Sequence, residues 1–272
     1  MDFELPEEHQ LAYQSAFEFG RDEIRPHNTE IENSDDFPAW LWKRLADQGY
    51  TGIAIPEEYG GSGGDFLMAA LVARAISRAN GAIGMSFGAH LNLVAHNILR
   101  NGTEQQKQKY LPKLVSTEMI GALALTEPNA GSDAMGIQTT ARQVDGGYLL
   151  NGTKVFITNG PIADLLILYA KTRPEAGSRG ITAFIFETKT RGFHVARKLQ
   201  KLGMHGSPTG ELVFEGAFVP DENVLGKVNE GFKVVMSGLD LERAFFAVGA
   251  VGGIEAALEV SIKYAKEREQ FG

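Results

Sequence analysis

The hydrophobic period of this chain changes near residue 121 and changes back near residue 231. Before the first point, apolar residues recur every three to four positions, the spacing that lines one face of an α-helix. Leu11, Phe17, Phe19 and Ile24 form such a stripe within residues 7–33, with Pro26 as a kink or break because proline lacks the N–H that the helical ladder needs. Residues 38–48, 66–77, 81–100 and 105–114 continue the series, the last opened by Thr103 as an N-cap. After residue 121, β-rich runs take over at 139–144, 148–150, 153–158, 164–170, 181–186 and 211–219. The turn signals Asp145-Gly146-Gly147 and Asn151-Gly152 punctuate them. Residues 231–268 then return to the helical period. Helices, then strands, then a helix give segregated layers, the α+β class. The expected layout is an α-helical N-terminal domain (1–119), a middle antiparallel β-barrel or sheet domain (120–229), and the first helix of a C-terminal helical bundle domain (230–272). That last helix is apolar on most sides and needs neighbours. With four residues after Arg268, the expectation is a C-terminally truncated piece of a longer protein.

The net charge of −8 argues against a nucleic-acid partner, which requires a basic field to release counterions. The absence of cysteine removes disulfides, thiolate metal sites and a cysteine nucleophile. The start, MDFELPEEHQ, has neither the basic and apolar regions of a signal peptide nor an arginine-rich transit character. The location expected is the bacterial cytoplasm, or the mitochondrial matrix for a mature form. Residues 79–99 contain no Asp, Glu, Lys or Arg, but Asn80, His90, Asn92, His96 and Asn97 would be penalised in a bilayer. A helix buried in a soluble core is the reading, with no membrane span.

Several motifs have plain structural readings. Gly84-Met-Ser-Phe-Gly88 matches the G-x-S-x-G elbow of serine hydrolases, yet a helix end precedes it rather than the buried strand that elbow requires. Gly60-Gly-Ser-Gly-Gly64 fits neither a dinucleotide fingerprint nor a P-loop and reads as a mobile surface loop. Asn101-Gly-Thr and Asn151-Gly-Thr read as turns. The six histidines show no metal-ligand spacing, and His90 reads as a hydrogen-bonded core histidine. Residues 123–132 join helices to strands: either a plain interdomain loop, or a turn whose N–H groups and Thr126 and Ser132 hydroxyls meet a polar ring edge or a phosphate. Glu242 opens onto the charge-free run 244–254, and Gly238, Leu239, Phe245 and Phe246 share its helical face. It is either a helix-start acid favoured by the dipole or a carboxylate whose pKa an apolar face raises for use as a base.

Four stretches together resemble the acyl-CoA dehydrogenase family: Thr126-Glu-Pro-Asn-Ala-Gly-Ser-Asp133, Asn151-Gly-Thr-Lys-Val-Phe-Ile-Thr-Asn159, Lys201-Leu-Gly-Met204 and Arg268-Glu-Gln-Phe-Gly272. Phe87-Gly-Ala-His-Leu-Asn92 and Met236-Ser-Gly-Leu-Asp-Leu-Glu-Arg243 bring it nearest the isovaleryl branch. The resemblance implies bound FAD, a homotetramer, electron-transfer flavoprotein as the electron acceptor, and oxidation of a short branched acyl-CoA to its 2-enoyl thioester as in leucine breakdown. Glu242 would accept the α-proton while a hydride passes to the flavin. A long-chain or other branched acyl-CoA dehydrogenase, or an inactive truncated fragment of one, are the alternatives. Leu123, Ala124, Leu125, Thr126, Glu127, Pro128, Asn129, Ala130, Gly131 and Ser132 would line the FAD, with Phe156, Ile157 and Thr158 on its ring system. Arg268 would reach the FAD pyrophosphate of a neighbouring subunit. Ser132, Ser178 and Arg179 would meet the CoA, and Asp240, Leu241, Glu242 and Arg243 the substrate. Phe156 stands where the family usually has Trp, and Lys233 where the isovaleryl branch has an aromatic residue.

Overall fold

The computed structural model describes residues 4–272, so the first three residues of the N-terminal stretch lie outside it. Helix α1 (Glu7–Phe19) gives way to a π-helical turn, Gly20–Ile24, then a 3-10 turn at Arg25–His27 that holds Pro26, and resumes as α2 (Asn28–Ser34). The expected break at Pro26 is present. Helices α3 (Ala39–Asp47) and α4 (Phe66–Ala79) follow, the latter capped by the Asp65 carboxylate accepting from Met68 N. Residues 81–100 are not one regular helix. They form α5 (Gly81–Gly88), a π-helical turn at Ala89–Ala95, and α6 (His96–Asn101), with most of the stretch buried. Thr103 makes a full capping box with Gln106 at the start of α7 (Glu104–Val115). The Gly60–Gly64 stretch is a hydrogen-bonded turn laid back on residues 52–56, with Ser62 N on Gly52 O and Gly64 N on Ile53 O. At Gly61 a Cβ would fall 1.9 Å from Ile55 O, so its glycine serves close backbone packing.

Eight strands form one sheet: β1 (Gly121–Ala124), β2 (Thr140–Val144), β3 (Gly147–Thr158), β4 (Leu165–Lys171), β5 (Ile181–Glu187), β6 (Phe193–Lys198), β7 (Thr209–Pro220) and β8 (Val224–Leu225). Their order is β6-β7-β3-β2-β4-β5-β8, mostly antiparallel, with β1 and the start of β2 running parallel to β4. The Asp145-Gly146 turn is a two-residue hairpin with Gly146 at φ +74°. Asn151-Gly152, read as a turn, lies instead inside β3. There the register with β7 slips between Leu150 and Asn151, and the extra residue is Gly216 of β7, at φ +66° with its N–H on Asn151 Oδ1.

Helix α8 (Gly231–Glu267) is 37 residues long, about 55 Å at 1.5 Å per residue. Phe245 joins Phe87, Ile83 and Ile76 in the helical core, so α8 is seated on the first domain. At Gly252 a Cβ would stand 2.1 Å from Arg74 O, which fixes how closely α8 and α4 approach. Arg74 binds Glu255, and Arg78 binds Glu259, along the same contact. Beyond Gly252 the helix is largely bare: Ile254, Leu258, Val260, Ile262 and Tyr264 are exposed. Among the described residues α8 is the helix long and apolar enough to cross a membrane by length and composition.

Candidate active site

Glu242 lies on the inner side of α8, half-buried, and faces the π-helical turn Ala89–Ala95. Burial pushes its carboxyl up to about 7, against the pull of the Asn92 amide and the Arg100 guanidinium. Asn92 is buried, and its Nδ2 donates to Glu242 Oε2. His96 Nδ1 stands 3.2 Å from Asn92 Oδ1, and burial holds the ring at a pKa of about 4, so it is neutral near pH 7. Both residues went unremarked as site candidates in the sequence. Their signal was present: amide and imidazole groups inside a stretch with no charge.

Beside Glu242, between α4, α5 and α8, lies an apolar cavity of about 200 Å³ lined by Met85, Gly88, Met204, Phe245, Phe246 and Gly249. Phe245, Phe246 and Gly249 follow Glu242 at helical spacing. The charge-free stripe beyond the carboxylate is thus the wall of a pocket. At Gly88 a Cβ would come within 3.0 Å of Phe245 Cε1, so a side chain there would crowd this wall.

The second part of the site comes from β3. Its second slip against β7, between Lys154 and Ile157, leaves Phe156 at φ +59°. A left-handed aromatic residue is strained, and such strain concentrates at functional positions. Phe156 is also 68% exposed, a large ring held mostly out of the core. Ile157 is buried and Thr158 half-buried. Val155 N donates to Thr126 O at 2.9 Å, tying the 123–132 segment to this bulge.

Within that segment the residues divide. Ala124, Leu125 and Ala130 are core, and Leu123 packs against it. Glu127 is buried, and its oxygens are occupied by Lys154 Nζ at 2.8 Å and by Gln138 and Thr139 N–H groups. Lys154 is wholly buried and also donates to Leu125 O at 3.0 Å. Burial lowers the lysine pKa, and although burial alone would raise that of Glu127, the Lys154 charge and the hydrogen bonds hold it low, so both groups stay charged. This pair is an internal strut. It leaves half-buried Thr126 and exposed Pro128, Asn129, Gly131 and Ser132 as the surface of the segment.

Ser178 and Arg179 are exposed on the 3-10 segment Pro174–Gly180, which packs against both the Ala134–Gly136 turn and α8. Asp240, Leu241 and Arg243 are exposed on α8 around Glu242. Arg268 follows the end of α8, about 39 Å along the helix from Glu242, and is not gathered with the rest. Ser86 is fully buried in α5 with its hydroxyl 2.9 Å from Ser207 Oγ, so the G-x-S-x-G match is not a nucleophile elbow. His90 is a core histidine: Gly121 N donates to its Nδ1 at 3.0 Å, and its Nε2 donates to Leu114 O at 2.9 Å.

A raised carboxylate one helical turn from an apolar pocket, and a bulged strand that exposes an aromatic ring, on a helical–sheet–helical frame, agree with the acyl-CoA dehydrogenase resemblance. Residues 6–118, 122–217 and 229–272 match the N-terminal, middle and C-terminal domains of acyl-CoA dehydrogenase. The chain belongs to that family. It is 53% identical over 261 residues to the mitochondrial isovaleryl-CoA dehydrogenase of Solanum tuberosum, covering 95% of this chain and 63% of that protein's length. A solved chain from work on the electron transferring flavoprotein of Acidaminococcus fermentans superposes with a TM-score of 0.97 at 43% identity, over 100% of this chain and 72% of that one. A structure of PigA with FAD and proline superposes at 0.95 with 35% identity, again over 100% and 72%.

Proposed function

We propose that the protein, as part of an assembly at least as long as its relatives, dehydrogenates a short branched acyl-CoA of the isovaleryl type, with Glu242 accepting the α-proton. The single observation that carries this reading is the Glu242 carboxyl, raised to about 7 one helical turn from Phe245 and Phe246, which line an apolar cavity. A general base works best with a pKa near the working pH, and a thioester α-proton needs one. The cavity supports a short acyl group: about 150 Å³ holds benzene, so about 200 Å³ suits a branched five-carbon chain better than a C12–C16 chain.

The residues fit FAD. Exposed Phe156 offers a face for a planar ring system, Thr126 and Thr158 offer hydroxyls beside it, and Pro128 to Ser132 offer open backbone. When bound there, FAD supplies the acceptor for the hydride from the β-carbon. Phe245 and Phe246 would hold water off the acyl chain, and Ser132, Ser178, Arg179 and Arg243, all exposed, would meet the CoA portion. Arg268 suits a cofactor phosphate in a second subunit of a homotetramer, and electron-transfer flavoprotein would take the electrons.

Glu242→Gln in the FAD-loaded enzyme should keep its flavin yet lose flavin bleaching by isovaleryl-CoA; bleaching at the normal rate sinks the assignment. Turnover of a straight C12–C16 thioester above isovaleryl-CoA would move the substrate to the long-chain class. A second reading is favoured by the bare apolar face of α8: the 272 residues alone are an inert piece of the enzyme. Purified chain that is colourless after incubation with FAD would favour it.

A further inference from the structure

We infer that Asn92, held by His96, is a positioning residue for Glu242: it fixes Oε2 and leaves Oε1 as the oxygen that takes the proton. This rests on the reading of Glu242 as the base. The side chains themselves dictate the arrangement. An ionised carboxylate accepts only, so it must meet the amide nitrogen of Asn92 and not its oxygen. Asn92 Nδ2 donates to Glu242 Oε2, and among the described residues Oε1 has no such partner. The amide oxygen therefore points away, and His96 Nδ1 stands 3.2 Å from it. Because an amide oxygen only accepts, Nδ1 carries the imidazole proton, and His96 locks the amide against a flip. His96 Nε2 makes no hydrogen bond, while the Ala54 carbonyl pulls the ring toward its charged form.

The backbone supplies an independent observation. Asn92 sits within the π-helical turn Ala89–Ala95, and His96 directly follows it. Single π turns inside helices recur at functional positions because the extra residue re-aims the side chains around it. Here the turn packs on β1 on one side and on α8 on the other. His96 is wedged beside Phe66, ring centroids 6.4 Å apart, and Phe66 lies 5.9 Å from Phe245. The relay is thus anchored in the same aromatic packing that walls the acyl cavity.

Few other charges reach Glu242. Arg100 of α6 acts on it in the same direction as Asn92. Arg74 and Arg78 of α4 are engaged by Glu255 and Glu259. Tyr169 of β4, which burial keeps protonated, accepts from Asn97. Asp240 and Arg243 on α8 are exposed.

The test is a carbon-13 NMR titration of side-chain-labelled glutamate in the intact enzyme, with Glu242 assigned as the resonance missing from Glu242→Gln. Asn92→Ala should raise the Glu242 midpoint by about one to two units, the size of a lost hydrogen bond to a charged group. Isosteric Asn92→Asp should raise it further through like charge, which guards against an Ala variant that packs poorly. His96→Leu should also raise it by freeing the amide, whereas His96→Gln, whose amide nitrogen can still donate to Asn92 Oδ1, should restore it. A midpoint unchanged in both Asn92 variants overturns the inference, and equal shifts in His96→Leu and His96→Gln overturn the part given to His96. If Glu242→Gln still bleaches flavin, the base reading fails, while the titration still decides whether Asn92 holds this carboxylate.

Discussion

A carboxyl that resists ionising in the fold makes the fold more stable in mild acid. Glu242 has its folded pKa raised from 4.5 to about 7. Between those values the native state holds a proton that the unfolded chain has lost. Its contribution is therefore fully present below 4.5 and lost as pH rises through about 7. Glu242→Gln should remove that slope, so the ratio of mutant to parent stability in urea should climb from pH 5 to pH 8; a flat ratio would mean that the group titrates normally. Lys154 and Glu127 show the opposite case, two charges that stay ionised because each holds the other. Glu127→Ala leaves a wholly buried ammonium alone, at a cost of about 3–5 kcal/mol in urea unfolding near pH 7. Because burial lowers the Lys154 pKa, that loss should shrink as pH rises and the lysine gives up its proton. Glu242 could be picked out of the sequence because a charge beside a charge-free run is visible in one dimension. Asn92 shows in one dimension only as an amide in a charge-free stretch; its partner, 150 positions away, shows only in the fold.

Among elements, the contact of α4 with α8 is the most exacting. Gly252→Ala would set a methyl 2.1 Å from Arg74 O and 3.0 Å from Arg78 N. Backbone cannot yield as a flexible side chain does, so overpacking should cost about 1–3 kcal/mol, read as a lower urea midpoint. Gly253→Ala, with nothing within 4 Å of its Cβ position, is the matched control and should be neutral or better. Most helices were legible, down to the Thr103 cap, because period and capping are local. Asn151-Gly152 carries a turn's dipeptide yet runs inside β3, and only the pairing with β7, which bulges at Gly216 opposite it, tells the two apart. The π turn at Ala89–Ala95 left no local mark, since its register is set by packing against β1 and α8. Strands β1, β6 and β8 leave weak local signals: two are short, and β6 is largely exposed, with Phe193 packed against the core.

At the scale of the whole molecule, two layers meet with α8 laid over the first. The three-part order was legible because each part keeps one hydrophobic period throughout; the pairing of β1 with β4 was not, since parallel neighbours are set by the crossover rather than by a turn. The bare stripe Ile254, Leu258 and Ile262 should bind a hydrophobic dye such as ANS in the 272-residue chain. Replacing those three with lysine should abolish most of the signal without moving the urea midpoint; an undiminished signal would place the dye elsewhere. His90 sits where the two layers join, serving the last turn of α7 through Leu114 and the first residue of β1 through Gly121. One neutral tautomer does both jobs, and burial keeps the ring uncharged down to about pH 4. A second proton on that ring would turn its acceptor into a donor facing the Gly121 amide. Strong acid therefore turns this one tie into a repulsion, while Asn159 on Ser86, Gln106 on Glu222 and Tyr110 on Glu187 still bridge the helical and sheet halves.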